Sequence, residues 1–296
     1  MNDTLPGTSR QWLLGSLLVL PAAVLLVAFT HWPMIASLID SVHATPRRGA
    51  SAGFVGLDQF QRLVGDPIFA KVLWNNFVFA LGTIPLSIAL AIAMAVWVSG
   101  QIRGRGVLRL AYFTPTVLPM IAAANIWLFF YTPDYGLLDQ ITGLFGIGRR
   151  NWLGDPDTVL WCIIAMTVWK EAGFFMIFYL AALQQIPPDL VEAAELDGTG
   201  RWYFFRRVTL PLIMPTTLFV LVNAVINSFK LVDHIVVMTK GGPNNASSLI
   251  LYYIYETAFS FWDTGYAAAL TVVLLVILAL LALLQFGFLE RRIHYR

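Results

Sequence analysis

The sequence predicts an all-α membrane protein that crosses the bilayer six times, on three observations. Of its 296 residues, 58% are hydrophobic and 12% are charged, against roughly 25% charged residues in soluble domains. Mean hydropathy is +0.72. Hydrophobic runs of the ~20 residues needed to cross hydrocarbon lie near 12–34, 72–98, 107–131, 159–183, 212–236 and 267–289. Between the fourth and fifth runs, a polar stretch from Pro187 to Pro215 carries charges that no lipid-facing segment tolerates. Six crossings put both termini on one side.

The first run exceeds the ~7–15 apolar residues of a signal-peptide core. It passes through Pro21 into His31, Trp32 and Pro33 without a small-residue cleavage site, so it reads as a spanning helix. A short loop between the second and third runs holds Arg103, Arg105 and Arg109 and no acid. The fourth run contains the one cysteine, Cys162. This leaves no intrachain disulfide or cysteine cluster, and Cys162 reads as a small packing residue.

Ionisable groups inside the runs carry information, because each costs ~2.5–3.5 kcal/mol or more at the bilayer centre unless it faces protein or water. Lys170 and Glu171 fall near the middle of the fourth run. Neighbours on a helix point about 100° apart, so the two do not neutralise each other, and at least one should face a cavity or a partner helix. In the fifth run Asn223, Asn227, Lys230 and His234 recur at four, three and four residues, placing all four on one stripe of one helix. Asn223, Asn227 and Lys230, with Lys170 and Glu171, are the candidate lining of a solute path. The alternative is interhelical hydrogen bonding. Amides and aromatic faces suit a sugar, and the lysines suit an anionic one.

The longer loops of the opposite side carry Asp58, Asp66, Asp134, Asp139, Asp155, Asp157 and Asp263. Such loops either receive a soluble partner or simply join helices. No repeat and no low-complexity tract is present, so residues 1–296 read as a single transmembrane domain.

The polar stretch can be built from local rules. Pro188 suits the first helical turn, where its missing N–H is no loss, and Asp189 sits favourably at the positive end of the helix dipole. Asp189, Glu192 and Glu195 recur on one side, while Ala193 and Ala194 leave a shallow neighbouring face. Gly198 should stop this helix as a left-handed residue past its end. The segment WYFFRRV follows Gly200, and Pro211 and Pro215 mark re-entry into the fifth run. A short helix with acids beside a shallow alanine face fits a groove of a partner protein. A helix resting on lipid would favour lysines instead.

Lysine and arginine set orientation, because positive short loops stay in the cytoplasm. Arg10, Arg103, Arg105, Arg109, Arg201, Arg206, Arg207, Arg291, Arg292 and Arg296 share the side of the polar stretch. Arg47, Arg48, Arg62, Lys71, Arg149, Arg150 and Lys240 lie opposite. Ten against seven places both termini and residues 187–215 in the cytoplasm.

EAAELDGTG followed by LPLIMP resembles the EAA signature of binding-protein-dependent ABC transporter permeases, with Glu192, Ala193, Ala194, Gly198, Leu210 and Pro211 in matching positions. Asp197 with Gly198 is similar to the DG pair of the carbohydrate branch. FVGLDQF at 54–60, NWL at 151–153, AALQQIP at 181–187, GGP at 241–243 and GYAAA at 265–269 also resemble that branch, in the subgroup of glycerol-phosphate and disaccharide permeases. The resemblance covers about residues 54 to 270. Thr199 departs from it, where the family often has alanine.

This resemblance implies the fold of a type I ABC importer permease in a bacterial inner membrane. It implies pairing with a second permease, two ATPase subunits and an extracytoplasmic solute-binding protein, with a sugar or polyol as solute and no nucleic acid among the partners. Residues 187–215 would be the coupling loop, with Glu192, Ala193, Ala194, Asp197, Gly198, Arg206 and Pro211 facing the ATPase. ATP and magnesium are expected on those partners, because no G-x-x-x-x-G-K-[ST] phosphate loop occurs in this chain. A secondary carrier, the competing class, would bring inverted repeats and paired acidic coupling sites, and neither is visible. An enzyme would need a convergent catalytic set, whereas His31, His43, His234 and His294 are scattered over different segments.

Overall fold

The structure, a computed structural model, describes residues 8–46, 53–100, 103–146 and 150–289. Arg47, Arg48, Arg149, Arg291, Arg292 and Arg296 of the charge count, and His294, lie outside the described residues. The described chain is helical, apart from one isolated antiparallel bridge between His43 and Phe54. In order the helices are α1 (Thr8–Leu26), α2 (Trp32–Asp40), α3 (Asp58–Val64), α4 (Pro67–Ser99), α5 (Arg105–Val117), α6 (Met120–Phe130) and α7 (Leu137–Leu144). They continue with α8 (Val159–Gln184), α9 (Pro188–Leu196), α10 (Arg201–Phe204), α11 (Leu210–Leu212) and α12 (Met214–Lys230). The last three are α13 (Asp233–Met238), α14 (Ile250–Tyr255) and α15 (Thr264–Leu289). Among the described residues five helical stretches are long and apolar enough to cross a membrane, and the number is six if the bent pair α5 and α6 counts as one span.

The chain divides into two compact units, one of residues 1–65 and 256–275 and the other of 66–255 and 276–296. In the first, Gln11–Asp40 forms a 30-residue apolar helix, none of whose most hydrophobic window is buried. Pro21 lies inside it, and a π-helical turn, Val27–His31, joins α1 to α2. The same unit holds a closed polar cluster around Asp263, at the start of α15. Asp263 accepts from the Thr45 hydroxyl at 2.5 Å, the Arg62 guanidinium at 2.6 Å and the Tyr266 backbone N–H at 3.3 Å. Arg62 also stacks over the Tyr266 ring at 4.1 Å. Partial burial opposes ionisation of Asp263, yet these donors outweigh it and hold its carboxyl below the ordinary range. The two sequence motifs at 54–60 and 265–269 meet beside this cluster, where a Cβ on Gly265 would lie 3.2 Å from the Gln59 amide nitrogen.

The second unit is centred on α4 and α8. Ala91 and Ala95 of α4 are fully buried among Phe175, Met176 and Tyr179 of α8 and Val220 and Ala224 of α12. Small residues allow such close approach where lipid offers no hydrophobic drive to association. Gly173 of α8 goes further, since a Cβ there would run into the Tyr112 carbonyl of α5.

Two expectations need correction. The third run is not one straight helix, because α5 and α6 meet at 103°. Pro119 keeps the preceding residue, Leu118, extended (ψ 133°), as the ring of a proline demands. The fifth run is also interrupted: Leu231 is extended and α12 ends at Lys230. His234 therefore lies on α13, off the stripe of Asn223, Asn227 and Lys230, and it is buried with its ring stacked on Phe79 at 5.9 Å.

Candidate coupling surface and solute path

The polar stretch folds as its local signals direct. Pro188 opens α9, Asp189 lies in its first turn, and the helix has no buried residue. Glu192 and Ala193 are exposed, as are Asp197 and Gly198, and Ala194 is half-buried. Leu196 is 89% exposed, so the chain itself covers little of this helix. Its end is a Schellman motif: Thr199 N–H donates to the Ala194 carbonyl at 2.9 Å and Gly198 N–H to Glu195 at 3.1 Å. Gly198 has φ +64°, and nothing lies within 4 Å of where its Cβ would be. What demands glycine there is the hand of the backbone, with no shortage of room.

Beyond the turn, α10 runs through a π-helical turn, Phe205–Thr209, into α11. Pro211 offers no N–H and its ring would crowd the carbonyl of the preceding turn, and the widened turn accommodates both. Arg206, Arg207 and Pro211 are exposed. Tyr203 lies beneath the Arg207 guanidinium at 5.9 Å, and Trp202 stacks on Phe205 at 5.6 Å.

The path candidates separate into two kinds. Lys170 is buried and donates to the Pro115 carbonyl at 3.0 Å and the Leu118 carbonyl at 2.5 Å. It satisfies backbone groups released by the break between α5 and α6. Glu171 accepts from the Asn227 amide at 3.0 Å, across α8 and α12. Around that pair, Thr83, Ser87, Thr167 and Ser228 line a cavity of about 10 Å³, roughly the room one water requires. Asn223 donates to the Phe219 carbonyl of its own helix at 2.8 Å, and Lys230 is exposed at the end of α12.

Sequence reasoning missed Asn75 and Asn76, both buried on α4. Asn75 donates to the Asn245 carbonyl at 2.8 Å and the Ser248 carbonyl at 3.0 Å. Asn76 donates to Ser228 at 3.3 Å and accepts from the Ile250 N–H at 3.1 Å. With Lys71, which reaches the Asn244 carbonyl at 2.6 Å, they pin the loop that begins at GGP. Adjacent amides inside an apolar run were a usable signal, by the same cost that drew notice to Lys170.

Several loop acids are also committed inside the molecule. Asp139 is buried and accepts from the Trp152 indole at 2.6 Å and the Asp134 N–H at 2.9 Å. Asp66 caps α4 through the Ile68 N–H at 2.8 Å and accepts from the Tyr253 hydroxyl at 2.6 Å. Cys162 is buried, and its carbonyl accepts from the Tyr131 hydroxyl at 2.9 Å.

Comparison with known proteins agrees with this architecture. Residues 67–295 match the family described as "Binding-protein-dependent transport system inner membrane component". The chain is 34% identical over 284 residues to the sn-glycerol-3-phosphate transport system permease protein UgpA of Agrobacterium fabrum (strain C58 / ATCC 33970), covering 96% of this chain and 97% of that one. It is 31% identical over 274 residues to a probable ABC transporter permease protein of Pyrococcus horikoshii, covering 91% of this chain and 93% of that one. Among solved structures, it is similar to a chain of a bacterial ABC transporter involved in the import of the acidic polysaccharide alginate. That similarity has a TM-score of 0.82 at 25% identity and covers 96% of both chains. An amino acid ABC transporter matches in fold alone, with a TM-score of 0.54 at 14% identity, covering 82% of this chain and all of that one. A helical chain with five to six candidate crossings among its described residues, an EAA loop and these relatives belongs to the binding-protein-dependent transport system inner membrane component family: it is a multi-pass permease component of an ABC importer and not an enzyme.

Proposed function

We propose that this chain is one of two permeases of an importer that moves a sugar or sugar-like polyol, possessing an anionic group, into the cytoplasm. Two ATPase subunits drive it, and an extracytoplasmic binding protein delivers the solute. The single observation that carries this reading is α9, a helix with no buried residue, closed by its own Schellman turn and presenting Glu192, Ala193 and Asp197 outward. A self-capped rod that its own chain leaves bare is built to be gripped. In this reading residues 187–215, with Ala194, Gly198, Arg206 and Pro211, face the ATPase from the cytoplasmic side, which also holds both termini. ATP and magnesium reside on the ATPase subunits.

Nucleotide binding moves a permease only by stabilising one conformation more than another, and a near-complete swing requires ~5.5 kcal/mol of differential binding. A rigid helix contact transmits such a bias. For the solute, the exposed Lys230 and the amides Asn223 and Asn227 supply a cation and sugar-compatible hydrogen bonds on one face of α12. An anionic cargo is supported by the relatives, whose names specify glycerol phosphate and an acidic polysaccharide.

Purification tests the handle. The native chain should bring an ATPase subunit with it, and Ala193→Pro should lose that subunit while leaving the permease folded, because α9 buries nothing. Retention of the ATPase by that variant would rule the handle out. For the cargo, Lys230→Ala should reduce uptake of a phosphorylated sugar about tenfold more than uptake of its neutral counterpart, on the ~1.5–3 kcal/mol of a charge-assisted hydrogen bond. Equal losses would argue against an anionic solute.

A further inference from the structure

An apolar groove of about 670 Å³ opens between α4 and the segment that follows the coupling helix. Ala89, Ile92, Ala93 and Val96 form one wall, and Arg201, Trp202 and Phe205 form the other. The two alanines lower the α4 wall and give the groove its depth. Val96 lies in the last turns of α4, which ends at Ser99, so the groove sits where a crossing helix leaves the hydrocarbon. Trp202 is 73% exposed beside it. An indole at that level is the ordinary marker of the boundary between acyl chains and headgroups.

Charge identifies the occupant. The guanidinium of Arg201 is the one ionic group of the lining. In sequence, the stretches next to the two walls, 98–111 and 198–213, contain Arg103, Arg105, Arg109, Arg201, Arg206 and Arg207 and no aspartate or glutamate. The acids of this region, Asp189, Glu192, Glu195 and Asp197, belong to α9 and its cap and do not line the groove. A greasy trough ending in an uncompensated guanidinium matches a molecule with a long hydrocarbon part and an anionic end. Arginine holds phosphate oxygens in a two-pronged geometry that a lysine does not reproduce. A sugar would find too few polar groups here.

We propose that the groove binds one anionic phospholipid of the surrounding bilayer, with an acyl chain along Ala89, Ile92, Ala93 and Val96 and its phosphate on Arg201. The lipid would then lie against α10, the piece of chain that joins the coupling helix to α12, so membrane composition would act on the coupling segment itself.

The test is native mass spectrometry of the assembled transporter, titrated with phosphatidylglycerol and separately with phosphatidylcholine of the same chains. Wild type should retain one phosphatidylglycerol saturably and phosphatidylcholine weakly. Arg201→Gln should weaken phosphatidylglycerol about fivefold, the contribution of one basic residue near an anionic membrane surface. Ala93→Trp should abolish retention by filling the trough, and Arg105→Gln should leave it unchanged. Four results would overturn the proposal: equal binding of the two lipids, full retention in both groove variants, displacement by inorganic phosphate, or no retained lipid because a second permease covers the groove. Each leaves the ATPase-handle reading standing, since none concerns α9.

Discussion

The loop that begins at GGP and the loop that carries EAA are built on opposite plans. The first is held from distant parts of the chain: Lys71 and Asn75 of α4 donate to its carbonyls, Asn76 accepts from the Ile250 N–H at its end, and the Ser247 hydroxyl donates to Thr239 at 2.8 Å and to the Gly242 carbonyl at 2.5 Å. The second satisfies its backbone within its own turns and keeps its acids outside. A segment whose hydrogen bonds end on distant parts of its own chain fixes shape. A segment whose hydrogen bonds end on itself keeps its outer face available. The same distinction sorts single residues. Lys170, bound to two carbonyls of a helix break, belongs with the first plan, and Lys230, exposed at a helix end, belongs with the second.

Asn76→Leu presses this contrast hardest. It leaves the Ser228 carbonyl and the Ile250 N–H buried without their partner, at ~1–3 kcal/mol each. The transporter in detergent should lose about 3 kcal/mol of stability, read as a lowered thermal midpoint. An unchanged midpoint would mean that the inward bonds are dispensable. Gly198→Val should act in the opposite sense. A left-handed conformation costs a branched residue about 1–2 kcal/mol, and nothing lies within 4 Å of the new Cβ. The fold should survive and ATP hydrolysis should continue, while transport per ATP falls several-fold. Normal coupling in that variant would remove the turn from the mechanism.

The smallest effect belongs to the closed cluster at Asp263. Its carboxyl lies below its ordinary 3.8 in the folded chain, because Thr45, Arg62 and the Tyr266 N–H favour the charged form against partial burial. A depressed pKa contributes stability that is complete above the unfolded value and is lost as pH falls through the folded one. Wild type should therefore weaken slightly below about pH 4, and Asp263→Asn should flatten that slope in an acid titration of the thermal midpoint.

What the sequence made legible was local. Pro188, Asp189 and Gly198 each act within a few residues, and the helix, its first turn and its left-handed stop all follow from them. The apolar crossings were legible too, five as long helices and the third run as the bent pair α5 and α6, since hydrophobic length is a property of a window. The bend at Pro119 carried a local signal, but unbroken hydrophobicity from 107 to 131 outweighed it in the reading. Lys170 could not be assigned from its surroundings in sequence, because the carbonyls it holds lie 52 and 55 residues away. His234 was misplaced for a related reason: periodicity assumes a continuous helix, and nothing in Leu231 and Val232 announces an extended residue. Arg62 and Asp263 meet across 201 residues of chain, beyond any pattern of spacing.

Position 198 has a consequence that ordinary mutagenesis never reaches. The backbone there is a mirror-handed step in open space, so the requirement it imposes concerns chirality and is indifferent to volume. A D-alanine introduced by semisynthesis should sit at this corner without strain, although its L enantiomer, with the same atoms, should not. The junction between the rod and the rest of the chain is thus a stereochemical switch of direction.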